Sequence, residues 1–149
     1  HFDYIRLQRL STCEWEPLAS LAKRLTTEQA IHIEHVSSWV VHLGTGNEES
    51  ASRMQEALDI YAPLAVMLFE IPEGFDTLVA EGVLHQPDDF FATWKQLLDD
   101  VVSSAGLTLH LDQITSDFSG GRSGQHDEDF SSSLAELHAV FNEDPAAKW

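Results

Sequence analysis

The sequence predicts an all-α protein: long helices, joined by short turns, packed as a bundle. Three observations carry that expectation. Apolar residues recur at steps of three and four along most of the chain. Glycine- or proline-bearing turns (GTG, EIPEGF, SDFSGGRSGQ) punctuate those stretches. The one alternating run, LTLHLDQI at 107–114, is short and reads as extended chain at most. There is no internal repeat and no linker long enough to divide the chain, so residues 1–149 are expected to form one helical domain with a real core.

The elements follow in order. Residues 1–10 place Phe2, Ile5, Leu7 and Leu10 as the end of an amphipathic helix would, and STCEW interrupts it. The chain opens without Met and inside a helical pattern, which suggests a piece of a longer protein. Pro17 suits the first turn of a second helix, expected over 17–43 and stopped by GTG. Asn47 is an N-cap, with Glu48 and Glu49 complementing the positive end of a helix over 48–70. Met54, Leu58, Tyr61, Ala65 and Leu68 share its apolar face, and Pro63 should kink it or open its hydrogen-bond ladder. EIPEGF is a turn, a short helix over 76–81 ends at Gly82, and another over 88–105 ends at Gly106. Residues 116–125 form a glycine loop before a last helix over 126–141.

Composition narrows the function. The net charge is −17, from 25 acids against 8 bases. Nucleic-acid binding needs cationic surface and is disfavoured, as is adsorption to an anionic membrane. No apolar run is long enough to span a bilayer, and no secretory signal opens the chain. The lone Cys13 allows no internal disulfide, which fits a reducing cytoplasm.

The second helix carries two stripes. Ala22, Ile33, Val36, Val40 and Leu43 form an apolar one, expected to face the core. Leu18, Leu21, Leu25, Glu28, His32, His35, Trp39 and His42 form another, whose second half is mostly ionisable. Bundles that hold two metal ions take a Glu-x-x-His pair from each of two helices and a Glu from each of two others. Carboxylate and imidazole together suit iron or manganese. Here the strict spacing fails: no histidine has an acid three residues before it, and Gln29 stands before His32. Glu28, His32 and His35 are the candidate ligands. A hydrogen-bonded polar interface, the remnant of a lost metal site and a working site are the three readings of that seam.

The other chemical candidates are weaker. SGGRSGQHDE lacks the Gly-Lys-Ser/Thr ending of a phosphate loop and follows no buried strand. Ser37 and Ser38 share a helix with His35 and offer no strained nucleophile turn. Trp15, Trp39, Trp94 and Trp149 read as packing anchors, one or two of which could meet a partner.

Taken in series, the motifs become specific. PLASLAKRL leads into HIEHVSSWVVHLGTGNEESASRMQEALD, with His32-x-x-His35, Trp39-Val40, Leu43-Gly44, Glu48-Glu49-Ser50 and the stretch Arg53 to Asp59. AEGVLHQPDDFFATWKQLLDDVVSSAGLTL, GGRSGQHDEDFSSSLAEL and the closing DPAAKW follow in order. This series resembles the C-type structural subunits of phenylacetyl-CoA 1,2-epoxidases, multicomponent oxygenases of phenylacetate catabolism. The resemblance covers nearly the whole chain. Gln29 stands where some relatives carry Glu, Asp127 where Thr is usual, and His138 where Gln is usual.

The resemblance implies a ferritin-like helical bundle, here without its N-terminal helices. It implies a cytoplasmic, non-catalytic subunit of a di-iron monooxygenase that epoxidises phenylacetyl-CoA. Its partner would be the catalytic A-type subunit, which would hold the di-iron centre, and self-association is a further possibility. This chain would then carry no cofactor and no catalytic residue. Arg122 and His126 would fix their loop against the bundle or a partner. The alternatives are a ferritin-like metal-dependent oxidase using Glu28, His32 and His35, and a stand-alone helical binding module.

Overall fold

The longest element, α2 (Glu16–Gly46), starts where Pro17 supplies a preset helical φ at the first turn. A computed structural model describes residues 1–85, 90–111, 120–126 and 128–146. In chain order, α1 (Phe2–Leu10) and α2 are followed by α3 (Glu48–Leu64), a 3₁₀ turn (Ala65–Phe69), α4 (Phe75–Ala80) and α5 (Phe90–Ser104). A short 3₁₀ turn (Gly121–Ser123), α6 (Glu128–Leu137) and α7 (Ala139–Glu143) complete the described elements. The architecture is all-α, consistent with a ferritin-like bundle, and there is no strand among the described residues. Residues 107–111 are extended without pairing. The N-terminus expected for α5 near Pro87 and Asp88 lies outside the described residues, as do Asp127 and Trp149.

The end of α2 corrects the sequence reading. The helix runs through GTG instead of stopping before it, and its C-cap Asn47 is extended, with φ −156°. Gly44 is there for close packing: a Cβ would lie 2.6 Å from the Ala105 carbonyl oxygen and 2.8 Å from the Ala105 Cβ. The glycine lets α2 approach the end of α5. The stop is instead supplied by Asn47, as expected of it. Its side chain accepts the Ser50 N–H at 2.9 Å, and the Ser50 hydroxyl accepts the Asn47 N–H at 3.1 Å. The same hydroxyl donates to the Leu43 carbonyl at 2.7 Å, satisfying one of the orphan acceptors of the last turn of α2.

Pro63 acts as expected near the end of α3. It has no N–H to give the ladder, and the chain tightens into the 3₁₀ turn at Ala65. The buried face of α3 is rotated from the expected one. Ala62 and Pro63 are buried, whereas Tyr61 and Leu68 are exposed. The final helix is likewise broken at His138 into α6 and α7.

The core gathers Phe2 and Ile5 of α1, Ala62, Trp94 of α5 and Leu111. Phe69 holds the junction, with ring centroids 5.1 Å from those of Phe2, Phe90, Phe91 and Trp94. Among the described tryptophans, Trp94 is the packing anchor; Trp15 and Trp39 are exposed. Backbone contacts tie the α1–α2 connection to the stretch after α4. Glu14 N–H donates to the Gly82 carbonyl at 3.1 Å, and His85 Nε2 lies 3.1 Å from the Arg9 carbonyl oxygen.

Gly44→Ala tests the close approach. The gain in helix propensity is about 1 kcal/mol, but the obstructing atoms belong to backbone and Cβ and cannot swing aside. A net loss of roughly 1–2 kcal/mol is expected in denaturant unfolding. Gly46→Ala, whose Cβ would meet only the Ser50 hydroxyl at 3.2 Å, should cost clearly less. Equal effects would refute the packing role of Gly44.

Candidate functional site: the polar seam of the second helix

Helical spacing places Glu28, His32 and His35 on one side of α2, as the sequence suggested, and all three are solvent-exposed. His32 Nδ1 is 3.4 Å from Gln29 Oε1, a long contact within the same helix. The His35 and Trp39 ring centroids are 6.4 Å apart, and those of Trp39 and His42 are 5.8 Å apart, both edge to face. The seam is therefore a row of edge-on rings along one helix. No acid from another element joins it: among the described residues there is no group of three or more His, Cys, Asp or Glu side chains placed to hold a metal.

The stripe of α2 that turns inward is a different one. Ala19 and Ala22 are buried, and Thr26, Gln29, Ile33, Ser37 and Val40 are half-buried at steps of three and four. Val36, expected at the core, is 59% exposed. Thr26 satisfies its own hydroxyl by donating to the Ala22 carbonyl at 2.7 Å. With small and polar side chains facing in, α2 sits close to its neighbours while Ile31, Val36 and Trp39 stand in solvent. Such a row of large apolar groups is the kind of surface that packed partners cover.

The network that does join distant elements was missed by sequence reasoning. The Gln55 side chain works like a backbone amide: its Nε2 donates to the Thr108 carbonyl at 2.8 Å, and its Oε1 accepts the Thr108 N–H at 2.9 Å. Gln55 Nε2 also donates to Asp59 at 2.9 Å, and Asp59 accepts from His110 Nδ1 at 3.0 Å. This staples 107–111 along α3. The available signal was the Gln55/Asp59 pair at i,i+4 opposite Thr108 and His110, two apart in an alternating run. These hydrogen bonds hold the Asp59 carboxyl below its ordinary value, His110 contributing most and Gln55 next.

The glycine loop is anchored from below. Glu70 accepts the backbone N–H groups of Gly120 and Arg122, the latter at 3.1 Å. The Arg122 guanidinium donates to the Leu68 carbonyl at 2.8 Å, fixing the loop to the bundle as the resemblance implied. His126 instead stacks on Phe130 of its own segment, with centroids 3.7 Å apart. Cys13 is buried, with its thiol 3.5 Å from the Trp15 carbonyl oxygen. No helix among the described residues is long and apolar enough to cross a membrane.

The fold and this site define a helical-bundle protein whose metal-helix pattern persists in outline while the ligand set does not converge. Comparison with known proteins places it more narrowly. The family model for the phenylacetic acid catabolic proteins matches residues 1–149, and the chain belongs to that family. It is similar to the C-type subunit of 1,2-phenylacetyl-CoA epoxidase from Escherichia coli (strain K12), with 26% identity over 132 residues. The match covers 89% of this chain and 52% of the relative, so the chain spans about half the length of that protein.

The Asp59 carboxyl makes the staple sensitive to pH. Its folded pKa is depressed, so its stabilising contribution is present above the unfolded value and is lost as pH falls through the folded one. His110→Ala should raise the Asp59 titration midpoint toward the ordinary 3.8, read from side-chain carboxyl NMR shifts. An unmoved midpoint would mean that the His110 hydrogen bond is not populated in solution.

Proposed function

We propose that the protein is a non-catalytic structural subunit of a multicomponent di-iron monooxygenase that epoxidises phenylacetyl-CoA in aerobic phenylacetate degradation. The observation that carries this reading is the family match over residues 1–149 together with a donor set that does not fit a di-iron centre. A dinuclear site needs carboxylates from several helices and two correctly spaced Glu-x-x-His pairs. The described residues supply one exposed helix face with Glu28, His32 and His35, and no histidine of the chain has an acid at the third position before it.

In this reading the iron and the ring chemistry belong to a catalytic A-type partner, and the enzyme acts in the cytoplasm. The present chain holds that partner in a productive arrangement. The exposed Ile31, Val36 and Trp39 on α2 and Ile60 and Tyr61 on α3 support the reading, because large apolar side chains of this number favour being covered in an assembly. The net charge of −17 supports a protein rather than a nucleic acid as partner.

Mixing the full-length subunit with the catalytic A-type subunit at micromolar concentration should yield a complex stable to size-exclusion chromatography. Aryl-CoA epoxidation should require both. Two separate elution peaks, or full activity from the catalytic subunit alone, would overturn the assignment.

A further inference from the structure

A cavity of about 330 Å³ lies between α1, the 3₁₀ turn with the Ile71-Pro72 stretch after it, and α4. That is within the size range of small-molecule sites. Its floor is aromatic: Phe2 stacks on Phe90 at 4.8 Å between centroids, and Phe69 meets both edge-on at 5.1 Å. Phe75 and Leu78 of α4 close it from the other side.

The rim has the opposite charge from the rest of the molecule. The chain has only 8 lysines and arginines against 25 acids. Three of those cations, Arg6, Arg9 and Arg122, line this one cavity, with a single carboxylate, Glu70, among the described residues. Glu70 is engaged by the backbone N–H groups of Gly120 and Arg122. Two of the guanidiniums lie against the rings: Arg6 is 5.6 Å from the centre of Phe2, and Arg9 is 5.2 Å from the centre of Phe90. Arg6 also pairs with Asp3 at 2.7 Å, but both side chains are about half exposed, and such surface pairs exchange readily. Arg122 is oriented by the Leu68 carbonyl. Solubility alone would put these cations in bulk water and would not gather them over an apolar floor.

We propose that this cavity binds a small aryl- or alkyl-carboxylate, with its apolar body on the phenylalanine floor and its carboxylate at the arginine rim. Apolar walls supply the burial, while planar guanidiniums match a carboxylate with two parallel hydrogen bonds and select against neutral analogues. This site is distinct from the α2 seam and stands whether or not the scaffold assignment holds.

The test is calorimetric or ligand-observed NMR titration of the full-length protein, as isolated, with 3-phenylpropionate and with its uncharged counterpart 3-phenylpropan-1-ol. The acid should bind saturably, and the alcohol about tenfold more weakly or worse. Arg9→Gln and Arg122→Gln should each weaken the acid by about tenfold and leave the alcohol unchanged, which shows that the pocket still folds. Leu78→Trp, filling the cavity from α4, should abolish both without altering the helical circular dichroism. Equal affinity for acid and alcohol would overturn the proposal. So would acid binding that ignores Leu78→Trp, or no saturable acid binding at millimolar concentration. The acid-to-alcohol ratio in the unmodified protein decides the question even if an arginine variant fails to fold.

Discussion

The packing of Phe69 is the contact on which the arrangement of the described elements turns. Pro63 tightens the end of α3 into a 3₁₀ turn, and that turn delivers Phe69 among Phe2, Phe90, Phe91 and Trp94. Aromatic pairs of this geometry contribute roughly 0.5–1.5 kcal/mol each beyond their buried area. Here they join α1 to α5 through a residue belonging to neither. The apolar floor of the cavity and the Leu68 and Glu70 groups that anchor the glycine loop sit next to this same turn. Moving Phe69 would disturb the core and the cavity together.

Away from that junction the molecule is held by close approach and polar stapling more than by bulk. Among the described residues, half of the ten buried apolar ones are alanine or cysteine, and no large side chain is fully buried. Gly44 against Ala105 and the Ala19/Ala22 face of α2 let backbones come near. Gln55 then fixes an extended segment that has no strand to pair with among the described residues. The consequence is a surface rich in large apolar groups, from Trp39 on α2 to Tyr61 on α3. That surface is hard to reconcile with a free-standing chain and natural for a component of an assembly.

Much of the helix order was legible in the sequence because its signals are local. Asn47 with Ser50, Pro63, Gly82 and Gly106 each mark a boundary by backbone chemistry that needs no tertiary context. GTG misled because glycine serves two ends: it can cap a helix or admit a neighbour, and only the position of Ala105 distinguishes them. The facing of α2 and α3 was misread at Val36 and Tyr61, since a helix with apolar residues on two sides does not reveal which side is covered. The polar seam of Glu28, His32 and His35 was visible as a pattern, but whether acids from other helices converge on it is a tertiary fact. The arginine-rimmed cavity draws on α1, α4 and the glycine loop, segments far apart in sequence, and no motif announced it.

The central claim is that the α2 seam keeps the spacing of a metal helix without its chemistry, and that the iron resides in the partner. The direct measurement is iron per chain in the full-length subunit alone, and in its complex with the catalytic subunit, after anaerobic Fe(II) loading and desalting. The account predicts essentially no iron on this subunit alone and iron in the complex in proportion to the catalytic chain. About two iron atoms per chain on the isolated subunit would contradict it and would make Glu28, His32 and His35 ligands in fact.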